Sequence, residues 1–256
     1  MINCLIGCFG LAVWGYFLCI FLAVSAFIVN LGQTYPAFAP YFPYNIDHPN
    51  PSPPDVKTAL LTNVLLLGFF AIPHTLFARP AIKRMLGMVT NGISAYRSIY
   101  VLQSSIAIHL MMKYWEPLFN DEILWVLPVK FVMPLYTFGF LWTLTATLTI
   151  DHFDLFGIKQ STGCDFMAKV GLGVTGFTTR AHYMVCRHPI MLGFFMMFTF
   201  IPRMTLNHVF FSVSCAAYIF IAVTFFEEPD LVATFKEYKT YQKTTPAYCP
   251  FGCLRK

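Results

Sequence analysis

Three small clusters of ionisable residues stand at the edges of long apolar runs. Arg187, His188 and Pro189 open one run, in the order VCRHPIMLGFF over 185–195. Glu227 and Glu228 close another, in VTFFEEPDL over 223–231. Asp151, His152 and Asp154 follow a third, in TIDHFDLFGIKQ over 149–160. Carboxylates from one segment and Arg187 and His188 from another could satisfy each other. A guanidinium can grip a carboxylate through two parallel hydrogen bonds, and carboxylates accept from ammonium or hydroxyl groups. An imidazole adds a proton acceptor that works near neutral pH. Charges at apolar edges can also be plain anchors, with long side chains reaching back to water. Anchors need no histidine, no double glutamate and no proline between them. Taken together, the three clusters point to a cavity or to mutual pairing.

The elements that must position them are membrane helices. Of 256 residues, 57% are hydrophobic and only 11% are charged, with 28 Phe, 12 Met and a mean hydropathy of +0.62. A soluble domain carries about 25% charged residues. The composition therefore implies an integral membrane protein surrounded by lipid. A net charge of +5 is too modest to suggest a nucleic-acid partner. The eight cysteines form no CxxC pair, and no histidine spacing suggests a metal site. Cysteines inside apolar runs argue against a disulfide framework. Cys249 and Cys253 can be read as free thiols or as lipid-bearing.

A bilayer-crossing helix needs about 20 mostly apolar residues. Runs of that kind fall near 8–30, 58–78, 97–114, 131–150 and 207–226, with a short one near 189–202. The sequence thus predicts an all-α, polytopic fold: about six transmembrane helices in a single domain, 1–256, with a short fifth span. No basic stretch precedes the first run, which reads as a span and not as a cleaved leader. Pro73 is expected to kink the second span, just before His74. Residues 31–57 include PAFAPYFPYNIDHPNPSPP, an irregular Pro-rich loop. Thirteen of the 17 Lys and Arg residues lie in 79–97, 151–187 and the tail. With six spans these segments share one side, which the positive-inside rule makes cytoplasmic. Both termini and the C-terminal segment then face the cytosol, and the Pro-rich loop faces away.

The stretch GLGVTG, 171–176, matches a dinucleotide-binding pattern by spacing alone. No strand precedes it, and nothing acidic occurs between Asp165 and Glu227, so it reads as a loop.

RHPIMLG (187–193), EEPDL (227–231) and FKEYKTYQKTTPAYCP (235–250) together resemble the isoprenylcysteine carboxyl methyltransferase-like membrane enzymes. IPHTLFARPAIKRM (72–85), YRSIYVLQSS (96–105), KYWEP (113–117) and DHFDLFGIKQ (151–160) bring the resemblance closer to the nurim family. That family includes bacterial methanethiol S-methyltransferases. The resemblance covers about residues 60–250. It implies methyl transfer from S-adenosylmethionine, with the cofactor enclosed at the cytoplasmic face by residues of 151–256. Carried over, Tyr183, Arg187, His188, Pro189 and Gly193 line one side, and Glu227, Glu228, Tyr238 and Tyr241 the other. Met191 departs from the family pattern, which has Tyr there.

A thiol acceptor must reach the thiolate form to attack. His152, with Asp154 beside it, is the expected base, and His74 is the second candidate. The acceptor is expected to be a small thiol or another apolar molecule, with methanethiol to dimethyl sulfide as the specific expectation. Two alternatives stand beside it: a noncatalytic nurim-like protein of the inner nuclear membrane, and methylation of a lipid or prenylcysteine. In a eukaryotic cell the resemblance implies the endoplasmic reticulum or nuclear envelope.

Overall fold

The computed structural model describes residues 2–47, 54–89, 95–119, 122–169 and 176–248. Residues 171–175 of the GLGVTG stretch, part of the Pro-rich loop, and Cys249 and Cys253 lie outside them. The apolar runs fold as helices. In chain order these are α1 (Ile2–Ile28), α2 (Val56–Ala78), α3 (Pro80–Val89), α4 (Tyr96–Tyr114) and α5 (Val129–Thr149). Short helices α6 (His152–Leu155), α7 (Ile158–Thr162) and α8 (His182–Val185) follow. Then come α9 (Pro189–Thr199), α10 (Leu206–Ala222), α11 (Glu228–Thr234) and α12 (Tyr238–Thr244).

Among the described residues, four helical segments are long and apolar enough to cross a membrane: Cys4–Ile28, Val56–Ala78, Val129–Thr149 and Leu206–Thr234. Helix α9 is apolar but shorter. On α2, Leu61, Leu65, Phe69, Ile72 and Leu76 recur at helical spacing, each at least half exposed. An apolar stripe of that length is costly in water and suits lipid. Helix α4 is different. The expected third span does fold as one helix, yet its polar content keeps it below the hydropathy of the other long helices. The reason lies inside the bundle, where its Ser98, Ser104 and Ser105 are buried.

Contacts at the helix ends set α2 against its neighbours. Near the start of α2, Asn63 donates to the Glu116 carbonyl (2.7 Å) just past the end of α4. At the other end, Arg79 donates to the Phe226 carbonyl (3.0 Å) beyond α10. The main apolar core draws Ile20, Val24, Phe27 and Ile28 of α1 together with Tyr136, Met197 and Phe211. Helices α5 and α9 cross closely through two glycines. A Cβ on Gly193 would sit 2.1 Å from Thr143 Oγ1, and one on Gly139 would sit 2.8 Å from Met196 Cβ.

The fold is not wholly helical. A two-stranded antiparallel ribbon pairs β1 (Ile123–Val126) with β2 (Arg203–Thr205), in the register Ile123 to Thr205 and Val126 to Arg203. The sequence ILWV has strong strand character, being β-branched and aromatic. The ribbon is too short for an alternating pattern to reveal it beside two apolar helices.

The end of the molecule near this ribbon holds a dense polar knot. The Asp47 side chain is fully buried. It accepts from Asn30 Nδ2 (2.7 Å), Thr205 Oγ1 (2.7 Å) and Asn207 Nδ2 (3.1 Å), and lies 3.3 Å from His208 Nδ1. The knot ties the Pro-rich loop to the start of α10.

Candidate active site

At the opposite end, the sequence forces a break in α10. Pro229 has no N–H to give to a carbonyl one turn back, so the regular ladder cannot continue through it. The chain instead widens into a π turn over Val223–Glu227, with the Glu228 N–H bonded to the Val223 carbonyl. Such turns often mark functional positions in helices. Here the turn leads directly into the Glu227–Glu228 pair.

Those glutamates meet the start of α9. Pro189 begins that helix, a position where its missing N–H costs nothing. His188 precedes it, and Arg187 precedes His188. Arg187 Nε donates to Glu228 Oε1 at 2.7 Å. His188 Nε2 lies 3.0 Å from the same oxygen, and Tyr238 OH donates to it at 3.3 Å. Gln242 Nε2 donates to the other oxygen at 2.9 Å. Glu228 is thus a hub with four donors.

Arg187 is also committed inward. Its Nη1 donates to the carbonyls of Gln242 (3.1 Å) and Thr245 (2.6 Å). The backbone N–H groups of Arg187 and His188 donate to the carbonyls of Pro246 (2.9 Å) and Ala247 (3.0 Å). The tail is therefore stitched to the Arg187–His188 segment by both side chain and main chain. Tyr241 completes the seam, its OH donating to the Tyr183 carbonyl at 2.5 Å.

Glu227 differs from its neighbour. Its side chain is 46% exposed, against 16% for Glu228, and among the described residues its ion-pair contact is to His188 Nδ1 at 3.5 Å. It keeps acceptor capacity for something else. Burial pushes the His188 imidazole down, but hydrogen bonds and charge from both glutamates outweigh that and lift it to about 9. His188 is therefore cationic at neutral pH. Two carboxylates face two cations, and the less satisfied carboxylate is the more exposed.

The remaining expected residues are placed as follows. Pro189 is buried, and its carbonyl accepts from Trp142 Nε1 at 3.0 Å. Gly193 is buried against α5 at the glycine crossing. Met191 packs against the apolar core. His152 is buried with both ring nitrogens engaged: Trp14 Nε1 donates to Nε2 (3.0 Å), and Thr147 Oγ1 lies 2.7 Å from Nδ1. Accepting at Nε2 fixes the neutral ring with its proton on Nδ1, and burial favours that neutral form by lowering the pKa. Asp154 accepts from Gln160 Nε2 (2.8 Å) and pairs with Arg97 (3.3 Å). Neither residue shares a described hydrogen-bond partner with the Arg187–Glu228 hub.

Comparison with known proteins adds an independent line. The chain is 37% identical over 205 residues to methanethiol S-methyltransferase 2 of Bradyrhizobium diazoefficiens, covering 78% of this chain and 76% of the relative. It is 34% identical over 215 residues to methanethiol S-methyltransferase of Mycobacterium tuberculosis, covering 82% and 84%. The chain belongs to the nurim family, in its methanethiol S-methyltransferase-like branch. Nurim of Danio rerio is more distant, 27% identical over 179 residues, covering 65% and 63%. No family model matches the chain, and no solved structure matches it.

In this nurim-family chain the hub also uses residues that sequence reasoning did not single out. Gln242 supplies the fourth donor to Glu228, and the carbonyls of Gln242 to Ala247 hold the Arg187–His188 segment. Tyr248 is buried with its ring 5.6 Å from His188. Backbone acceptors carry no side-chain signature. The aromatic tail ending in proline was the one available sign that this segment folds back.

Proposed function

We propose that this chain is a membrane S-adenosylmethionine-dependent methyltransferase acting on a small thiol, converting methanethiol to dimethyl sulfide. The observation that carries it is the split between the two glutamates, on a chain whose relatives over most of its length are named methanethiol S-methyltransferases. A satisfied, buried Glu228 holds the frame, and a half-exposed Glu227 is left for a cationic ligand. That carboxylate acceptor fits the ammonium, sulfonium and ribose hydroxyls of S-adenosylmethionine. Phe177 lies 5.7 Å from Tyr238 and 5.3 Å from Tyr241, ring to ring, which makes a largely buried aromatic cluster beside the hub. Aromatic faces suit both an adenine and a sulfonium.

When bound, the cofactor supplies an electrophilic methyl group on a ready leaving group. The chain supplies position. Glu227, with Tyr183 and Tyr241, would hold the cofactor, and Arg187, His188, Glu228 and Tyr238 would fix the wall behind it. Pro189 and Gly193 would act by setting the start and depth of α9. Holding donor and acceptor in line and excluding water accounts for much of the rate in such a transfer. His152 and Asp154 would brace the adjoining wall, through Trp14 and Arg97.

The helices are read as about six spans, with α4 crossing inside the bundle. The Lys- and Arg-rich segments 79–97, 151–187 and 227–256 then share the cytosolic side. The cofactor enters there, and the apolar thiol arrives through lipid. The test is direct: purified protein is incubated with labelled S-adenosylmethionine, with and without methanethiol. Labelled dimethyl sulfide is expected only with the thiol. Absence of product together with absence of cofactor binding overturns the proposal.

A further inference from the structure

The segment IPHTLFARP carried part of the family resemblance, yet the hub contacts above use none of its side chains. Its last two residues make a corner. A residue before proline is pushed out of the helical region. Arg79 accordingly stands extended, at φ −67° and ψ 135°, between the end of α2 and Pro80, where α3 starts. Its N–H donates to the Leu76 carbonyl at 3.0 Å, and its carbonyl accepts from the Lys83 N–H at 3.0 Å. The backbone of Arg79 is therefore held on both sides. The helix behind it is held too. Tyr96 OH donates to the Phe77 carbonyl, and His74 meets the hydroxyls of Ser104 and Tyr100 at its two ring nitrogens. Thr75 Oγ1 lies 3.1 Å from Tyr218 OH of α10.

From that corner the guanidinium spans the turn that carries the glutamates. Nη1 donates to the Phe226 carbonyl at 3.0 Å, and Nη2 donates to Asp230 Oδ1 at 2.9 Å. The guanidinium carbon lies 5.3 Å from the centre of the Phe226 ring, within cation–π range. Glu227 and Glu228 directly follow Phe226, and Asp230 comes after Pro229. One side chain thus grips the chain on either side of the pair. The grip falls where the backbone most needs it. The π turn and Pro229 interrupt the regular ladder here, so helical hydrogen bonds alone do not fix these residues. The two glutamates depend on that backbone unequally. Glu228 is held by its own side chain, through four donors. Glu227 is ion-paired, among the described residues, only to His188 at 3.5 Å, and inherits its position from the turn.

We propose that Arg79 is a positioning residue for the methyl-donor site: by clamping the Phe226 carbonyl and Asp230, it sets where the Glu227 carboxylate meets the cofactor. This rests on the methyltransferase reading. Arg79 acts through Glu227 and not by touching the cofactor. The side chains of Arg79 and Asp230 are 28% and 30% exposed, and ion pairs open to solvent add little to overall stability. The worth of this pair lies in geometry. A flat guanidinium holds two acceptors at a fixed separation, which a single ammonium does not. Because Glu227 serves the cofactor, the clamp bears on the methyl donor and not on the thiol.

The test is a double-mutant cycle on S-adenosylmethionine binding, measured by equilibrium dialysis on the full-length protein in detergent. Its members are the parent, Arg79→Ala, Glu227→Gln and the two changes together. Arg79→Ala is expected to weaken binding about 10-fold, the size of an ordinary coupling between neighbouring residues. Its thermal unfolding is expected to stay near that of the parent. In the Glu227→Gln background the same change is expected to cost little more, because its effect passes through that carboxylate. A general loosening of the fold would multiply the two losses instead. Arg79→Lys keeps the charge but not the fork, and is expected to bind between the parent and Arg79→Ala. In turnover, the KM for S-adenosylmethionine is expected to rise in Arg79→Ala while that for methanethiol stays. If Arg79→Ala does not fold, Asp230→Asn takes its place in the cycle, with a smaller loss in the same pattern. Unchanged cofactor binding in the folded variant, or losses that multiply in the double variant, overturns the inference. Failure of the parent itself to bind cofactor overturns the methyltransferase reading instead.

Discussion

The two ends of the molecule each bury a carboxylate beside a histidine, and they use it differently. At the ribbon end, Asp47 is fully buried among Asn30, Thr205, Asn207 and His208, with both oxygens taken. At the other end, Glu228 is similarly saturated, but Glu227 beside it is half exposed and, among the described residues, ion-paired only to His188 at 3.5 Å. A carboxylate whose partners are all internal joins chain segments. One left with open acceptor positions is available to a ligand. The type of residue does not separate these roles, but the count of its partners does.

That contrast is most sharply broken at the saturated carboxylates. Asp47→Ala strands buried donors, and Glu228→Ala leaves Arg187 buried without its carboxylate. Each is expected to cost about 3–5 kcal/mol of stability, as breaking a buried ion pair does. Chemical denaturation in detergent checks this. Glu227→Gln is expected to leave stability near the parent value and to weaken S-adenosylmethionine binding about 10- to 100-fold. That is the range for losing one hydrogen bond to a charged group. Equal destabilisation by Glu227→Gln and Glu228→Ala would erase the distinction between them.

Smaller effects sharpen the same picture. Gly193→Ala places a Cβ against Thr143 and the Gly139 carbonyl, and overpacking there is expected to cost about 1–3 kcal/mol. If Gly193 lined only the ligand, binding would fall with no loss of stability. The His188 pairing sets a pH dependence. Its pKa is raised to about 9 in the folded protein from an ordinary value of 6.5. The unfolded state binds fewer protons between those values, so stability falls as pH rises through that window. The contribution is complete below about 6.5 and lost above about 9. Thermal unfolding across that range is expected to show the fall, and His188→Gln is expected to remove it.

Much of this was legible in the sequence, for physical reasons that differ by region. Apolar length made the helices visible, and RHP and EEP marked the hub because ionisable groups beside long apolar runs need partners. The polar residues of helix α4 face the bundle interior, a direction that hydropathy does not report. The ribbon was hidden by its brevity. Gly193 was legible as a special position, but whether a glycine admits a ligand or a neighbouring helix depends on what lies across from it. For His152, the decisive contacts come from Trp14, 138 residues earlier in the chain, and no local pattern carries them.

Equilibrium binding of S-adenosylmethionine to the parent, Glu227→Gln and Asp47→Asn proteins tests the central claim most directly. The parent and Asp47→Asn are expected to bind with similar affinity when folded, and Glu227→Gln about 10- to 100-fold more weakly. Full-strength binding by Glu227→Gln, or binding lost only through Asp47→Asn, would contradict the placement of the cofactor at the Arg187–Glu227 end.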